Sequence, residues 1–163
     1  GMIKGGVVAL LLISGLLLFA LRSVKLGLIS IIPNLLPALM GFAVWALISA
    51  EISMALSVVM TMTLGIIVDD TVHFLSKYKK SIDSGSTPNE AIMFAFSNVG
   101  NALLITTIVL ASGFTVLAFS GFALNSDMGT LTAIIIVLAL IVDLLLLPAM
   151  LSFGQKKPRS SSR

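Results

Sequence analysis

The chain has 163 residues, of which 58% are hydrophobic and only 10% charged, and its mean hydropathy is +1.13. Soluble domains carry charge on about a quarter of their residues, so this composition excludes them and specifies an integral membrane protein. The lack of cysteine removes disulfides and thiolate chemistry, and the net charge of +3 is no nucleic-acid signal, because the basic residues cluster where apolar runs end.

Five apolar runs predict an all-α, polytopic membrane helix bundle of five transmembrane helices with one short cytoplasmic surface helix. The first span is expected over 3–21, closing on Arg22 and Lys25. Lys4 ahead of an apolar core gives it a superficial likeness to a signal peptide. However, it is too long, ends in basic residues and has no small-x-small cleavage site. The second span is expected over 26–50. Pro33 and Pro37 interrupt its start, so 26–34 reads as a tilted interfacial turn feeding the span proper. Trp45 lies deeper than an interface anchor and reads as packing. Glu51 marks the turn into the third span, expected over 52–76, with Ser53 as its cap.

That span ends in Lys77-Tyr78-Lys79-Lys80 and is followed by a polar connector over 81–87. Thr87-Pro88-Asn89-Glu90 is a capping-box signature, with Thr87 as N-cap, Pro88 at N1 and Glu90 at N3. It opens a short helix over 88–98, read as an amphipathic helix on the membrane surface or as a lead-in to the next span. The fourth span is expected over 99–121, and its Thr106, Thr107, Ser112 and Thr115 hydroxyls bond back to the helix or to a neighbour by default. A turn over 122–127 leads to the fifth, over 128–153, which contains Asp143 and Pro148. Residues 1–153 thus form one membrane domain, and the basic, Ser-rich tail over 154–163 is expected to be disordered.

The third span carries the costliest stretch, Gly65-Ile66-Ile67-Val68-Asp69-Asp70-Thr71-Val72-His73. Insertion scales put one aspartate near the centre of a span at roughly 2.5–3.5 kcal/mol unfavourable, so the pair is expected to face protein or water. His73 stands four residues after Asp69 and three after Asp70, on the adjoining face. Carboxylates at this depth point to function by default. The bland alternatives are a polar cluster gluing helices together and a span that ends early. Asp143 is a second, isolated carboxylate. Seven residues, or about 10 Å, separate Asp70 from Lys77, and about 16 Å separate Asp143 from Gly154, so the two carboxylates lie at comparable levels.

Five spans put the termini on opposite sides. One set of loops holds Arg22, Lys25, Lys77, Lys79, Lys80, Lys156, Lys157, Arg159 and Arg163, the other only Lys4. This asymmetry predicts an inner (cytoplasmic) membrane protein with an external N-terminus and a cytoplasmic C-terminus. An external N-terminus without an upstream signal is awkward to make, so the chain is expected to be a piece of a longer protein, with at least one preceding span.

The ordered set Arg22-Ser23-Val24-Lys25-Leu26, Pro33-Asn34-Leu35-Leu36-Pro37, Gly65 to Phe74, Thr87 to Ala91 and Asp143 to Ala149 resembles one half of a known membrane domain. That domain belongs to the resistance–nodulation–division transporter superfamily. The likeness is closest to its lipid-handling branches, the exporters with an MMPL-type domain and the sterol-sensing-domain relatives. The resemblance implies a proton-motive-force-driven exporter of lipids or hydrophobic compounds, in which Asp69 and Asp70 fall on the proton-coupling motif. His73, Thr106 and Asp143 are candidate relays or partners, with Asp143, standing alone, expected to matter less. A carboxyl in a dehydrated bundle has its charged form disfavoured, two adjacent ones repel further, and such a pair titrates as a unit.

Against a full family member, the chain lacks the first span of its half, the external substrate-binding domain and the second half. The implied partners are therefore those missing parts or an oligomeric partner, membrane lipids, and protons as the coupling ion; no nucleic acid, cofactor or metal is implied. The alternative is a sterol-sensing-domain-like module that binds lipid without transport. An intramembrane aspartyl protease is disfavoured, because adjacent aspartates point about 100° apart on a helix, and no catalytic residue is assigned.

Overall fold

The computed structural model describes residues 8, 11–13, 15, 18, 19, 22–49 and 54–153. Most of the expected first span over 3–21, the Glu51 turn with its Ser53 cap, and the tail over 154–163 lie outside the described residues. Among those described there is no strand, and the chain is an all-α bundle. Its elements are α1 (Val24–Ile48), α2 (Met54–Asp83), α3 (Pro88–Ala95), a π-helical segment (Phe96–Gly100), α4 (Asn101–Ala118) and α5 (Ala123–Phe153). Four helical runs are long and apolar enough to cross a membrane: α1, α2, the continuous stretch Pro88–Ala118, and α5. The protein is a multi-pass membrane protein.

The helix α1 starts earlier than expected and is continuous from Val24 to Ile48. Ser23 caps it by accepting a hydrogen bond from the Leu26 amide at 3.4 Å, and Pro33 and Pro37 lie inside the helix. The tilted turn over 26–34 is not formed. The two prolines are four apart, hence on one face, and that face is the buried one, with Asn34 and Gly41. Surrounding helices hold the backbone where its bonds are lost, which is how spans tolerate proline. A Cβ at Gly41 would collide with the Ile135 side chain, so α1 and α5 meet closely there.

Past the expected end at residue 76, α2 runs on to Asp83, because no breaker intervenes and Lys79 Nζ pairs with Asp83 Oδ2 one turn on. Gly85, at φ +92°, stops the chain in a left-handed conformation that suits glycine. The capping box then forms at Thr87, whose amide donates to Glu90 Oε2 at 2.7 Å. Of the two readings of 88–98, a surface helix or a lead-in to the next span, the structure has the lead-in: α3 continues through the π-helical segment into α4. Its buried Ala91 and Ala95 pack with Phe74 and Tyr78 of α2, and Phe96 meets Phe74 edge-to-face at 5.0 Å.

The helices α1, α2 and α5 each contribute to two apolar clusters. Leu26, Phe74, Leu75, Tyr78, Leu147 and Leu151 form one cluster, towards the basic end. Trp45, Val59, Ile67, Leu131, Ile135 and Ala139 form the other, so Trp45 is packing, as the sequence suggested. Between these clusters, α1, α2 and α5 each bury a polar side chain: Asn34, Thr71 and Asp143.

Candidate functional site

The polar layer follows from helical spacing. On α2, Val59, Thr63, Ile67, Thr71, Phe74 and Tyr78 are buried at intervals of three and four, so Thr71 points into the bundle between Ile67 and Phe74. On α5, Ile135, Ala139, Asp143, Leu147 and Leu151 repeat every four, and Asp143 is only 2% exposed. On α1, Asn34 shares the buried face with both prolines.

These three side chains meet. Thr71 Oγ1 lies 2.6 Å from Asn34 Oδ1, 3.2 Å from Asp143 Oδ1 and 3.1 Å from the Ile67 carbonyl oxygen. One hydroxyl has one proton for three acceptors. Asp143 Oδ2 and Asn34 Nδ2 are buried and unpartnered among the described residues. Two proton arrangements fit the same heavy atoms. With Asp143 ionised, Thr71 donates to it, and rotation of the Asn34 amide brings Nδ2 round to donate to Thr71. With Asp143 protonated, the acid donates a hydrogen bond to Thr71 Oγ1, and the Thr71 hydroxyl donates in turn to Asn34 Oδ1. The layer can therefore hold or release a proton without moving a helix.

The aspartate pair divides between two faces. Asp70 is half-buried, next to Thr71, and its carboxylate is an electrostatic neighbour of Asp143 as well as of Asp69 and His73. Asp69 and His73 lie on the outward face, with side chains 73% and 61% exposed and Oδ1 and Nε2 3.7 Å apart. Of the pair expected to face protein or water, Asp70 turns towards the bundle and Asp69 lies on the outward face of α2. Asp143 does not stand apart, because Thr71 joins it to the pair's helix. Thr106 is not brought to the layer: it is exposed and donates back to the Ala102 and Leu103 carbonyls at 2.9 and 3.0 Å. Thr71 and Asn34 were missed as site residues although both stand in quoted motifs. The legible signal was polarity within apolar runs, Asn34 between two prolines and Thr71 directly after the aspartates. No group of three or more potential metal ligands occurs among the described residues.

The model of the MMPL family matches residues 1–163. The chain belongs to the MMPL family. Two relatives carry names that describe membrane proteins. MJ1562 of Methanocaldococcus jannaschii is 26% identical over 147 residues, covering 87% of this chain and 37% of its own length. YdgH of Bacillus subtilis is 26% identical over 162 residues, covering 96% of this chain and 18% of its own length. The chain thus spans well under half of either relative. MMPL membership accounts for a membrane module related to resistance–nodulation–division transporters, with its polar layer set between two apolar cores.

Proposed function

We propose that this MMPL chain is the proton-translocating transmembrane part of an exporter of lipids or hydrophobic compounds driven by the proton-motive force. The observation that carries this reading is the buried carboxyl of Asp143, joined through the Thr71 hydroxyl to Asn34, with the half-buried Asp70 next to that threonine in the chain. Exchange between the two proton arrangements loads and unloads the layer: the proton enters at a carboxylate oxygen and leaves from the same acid. Two carboxyls that share low-dielectric surroundings resist double ionisation, so their protonation is coupled. Asp70 and Asp143 are the carriers on this reading, and Asp69 with His73 is the way in from the outward face.

That outward face supports a further part of the reading. A carboxylate and an imidazole at membrane depth are costly against lipid, so a second transmembrane half or an oligomeric partner covers them. Lipid export and the inner-membrane setting rest on the family likeness and the basic asymmetry of the loops. The alternative, a lipid-binding module without transport, predicts the same helices and no proton flux.

Proton uptake by the full-length protein in proteoliposomes separates the two. On the transport reading, Asp70→Asn and Asp143→Asn each abolish substrate-coupled uptake while insertion is retained. Unchanged uptake in both variants would remove the proton-coupling role.

A further inference from the structure

The proton layer is not the only polar level inside the bundle. The Trp45 ring packs in the apolar cluster away from the basic end, but its Nε1 is buried without a hydrogen-bond partner among the described residues. The same holds for Oγ1 of Thr132 on α5. Trp45 is 5% exposed and Thr132 fully buried, and a buried donor or hydroxyl left without a bond is costly. Helical threonines commonly bond the carbonyl one turn back, as Thr130 on the same helix does with Ser126 at 2.9 Å and Thr63 with Val59 at 2.7 Å. Thr132 forgoes that bond, so its hydroxyl is turned from its own helix towards the bundle.

Helical register puts these two orphaned groups at one level. Asn34 and Asp143 meet across Thr71, and a Cβ at Gly41 would collide with Ile135, so α1 and α5 run antiparallel. Trp45 stands eleven residues after Asn34, and Thr132 eleven before Asp143. Eleven residues make about three turns, so each lies on the same face as the layer residue of its own helix, about 16 Å along the axis. Trp45 and Thr132 thus repeat the relation of Asn34 to Asp143, further from the basic end. Ile67, Ile135 and Ala139 pack between the two levels.

We propose that Trp45 and Thr132 hold a buried water molecule, which stages protons between the Asp143 layer and the end of the bundle opposite the basic one. The occupant must accept from an indole N–H, which only donates, and must also bond a hydroxyl, which does both. Val59, Leu131 and Ile135 of the surrounding cluster are apolar. An ion would find no counter-charge among them, and a larger polar molecule would leave its other groups unpaired. Water bonds both groups at once and is the usual guest of buried, unsatisfied polar atoms. The apolar residues between the levels part this water from Asp143, which suits a carrier that must not open to both membrane faces together. The water site stands without proton transport; its role as a stage rests on Asp143 being a proton carrier.

Radiolytic labelling of the full-length protein with X-ray pulses, read by mass spectrometry, tests the site, because hydroxyl radicals form at bound water and mark the side chain beside it. Corrected for the intrinsic reactivity of the two rings, Trp45 should be labelled several-fold more than Phe74, which is comparably buried in the other apolar cluster. Thr132→Val keeps the shape and should drop Trp45 to the level of Phe74, whereas Thr132→Ser should keep the label. Trp45 as protected as Phe74 in wild type, or equal labelling of Trp45 in the Val and Ser variants, would overturn the water. Proton uptake in proteoliposomes tests the stage: Thr132→Val should lower it several-fold and Thr132→Ser should not. If Thr132→Val takes up protons as wild type does while Asp143→Asn takes up none, the stage is overturned and the proton layer stands. If Asp143→Asn is as active as wild type, the carrier reading fails and the stage with it, and the labelling alone decides the water.

Discussion

Thr71 is the residue on which the polar layer turns. Its hydroxyl reaches one group on α1 and one on α5, and a single proton cannot satisfy both at once. Thr71→Val keeps the shape and removes the relay. It should cost about 1 kcal/mol of stability, as for one hydrogen bond, but lower proton uptake far more than that loss implies. Thr71→Ser should restore uptake. If Val and Ser variants transport alike in the same proteoliposome assay, the hydroxyl is only packing. At this scale the sequence was partly legible. Acids in an apolar run are conspicuous because their insertion cost is large, and the aspartates stood out for that reason. Which way each one points was not legible, since Asp69 and Asp70 differ by a single helical step and only the packing of α5 decides which faces inward. Asn34 and Thr71 carry no charge, so their cost is smaller and their signal fainter.

At the scale of elements, the close contact between α4 and α5 sets how the bundle packs. A Cβ at Gly129 would come within 2.5 Å of the Ala118 amide nitrogen and 2.6 Å of the Phe114 carbonyl oxygen, both backbone atoms that cannot turn aside. Gly129→Ala should therefore destabilise the protein by about 1–3 kcal/mol, the usual cost of overpacking. Gly113→Ala, where nothing lies within 4 Å, should be neutral or slightly stabilising, because alanine is the better helix former. Thermal unfolding in detergent checks the pair, and equal midpoints would mean the helices separate freely. The spans themselves were legible from hydropathy, since twenty apolar residues have few other uses. Their ends were less so. Lys77, Lys79 and Lys80 mark where the membrane stops, yet α2 continues to Asp83 because helical hydrogen bonding needs no apolar surroundings. Prolines 33 and 37 read as breakers and proved to be tolerated, for packing in the bundle outweighs a local preference.

For the whole molecule, the basic residues decide orientation. A cavity brings Arg22 and Lys25, at the start of α1, together with Lys79 at the end of α2, so these cations share one end of the bundle. On the orientation proposed from the positive-inside rule, that end is the cytoplasmic one. A reporter inserted after Gly121, in the turn between α4 and α5, should therefore read as external, whereas one at the 84–87 connector should read as cytoplasmic. The reverse pair of signals would invert the orientation.

Infrared difference spectroscopy of the full-length protein across a pH titration observes the protonated carboxyl directly. A buried acid that exchanges its proton should give a carboxylic C=O band that responds to pH, is missing in Asp143→Asn, and shifts when Thr71→Val removes its hydrogen-bond partner. A pH-difference spectrum of Asp143→Asn indistinguishable from wild type would contradict proton carriage by this layer.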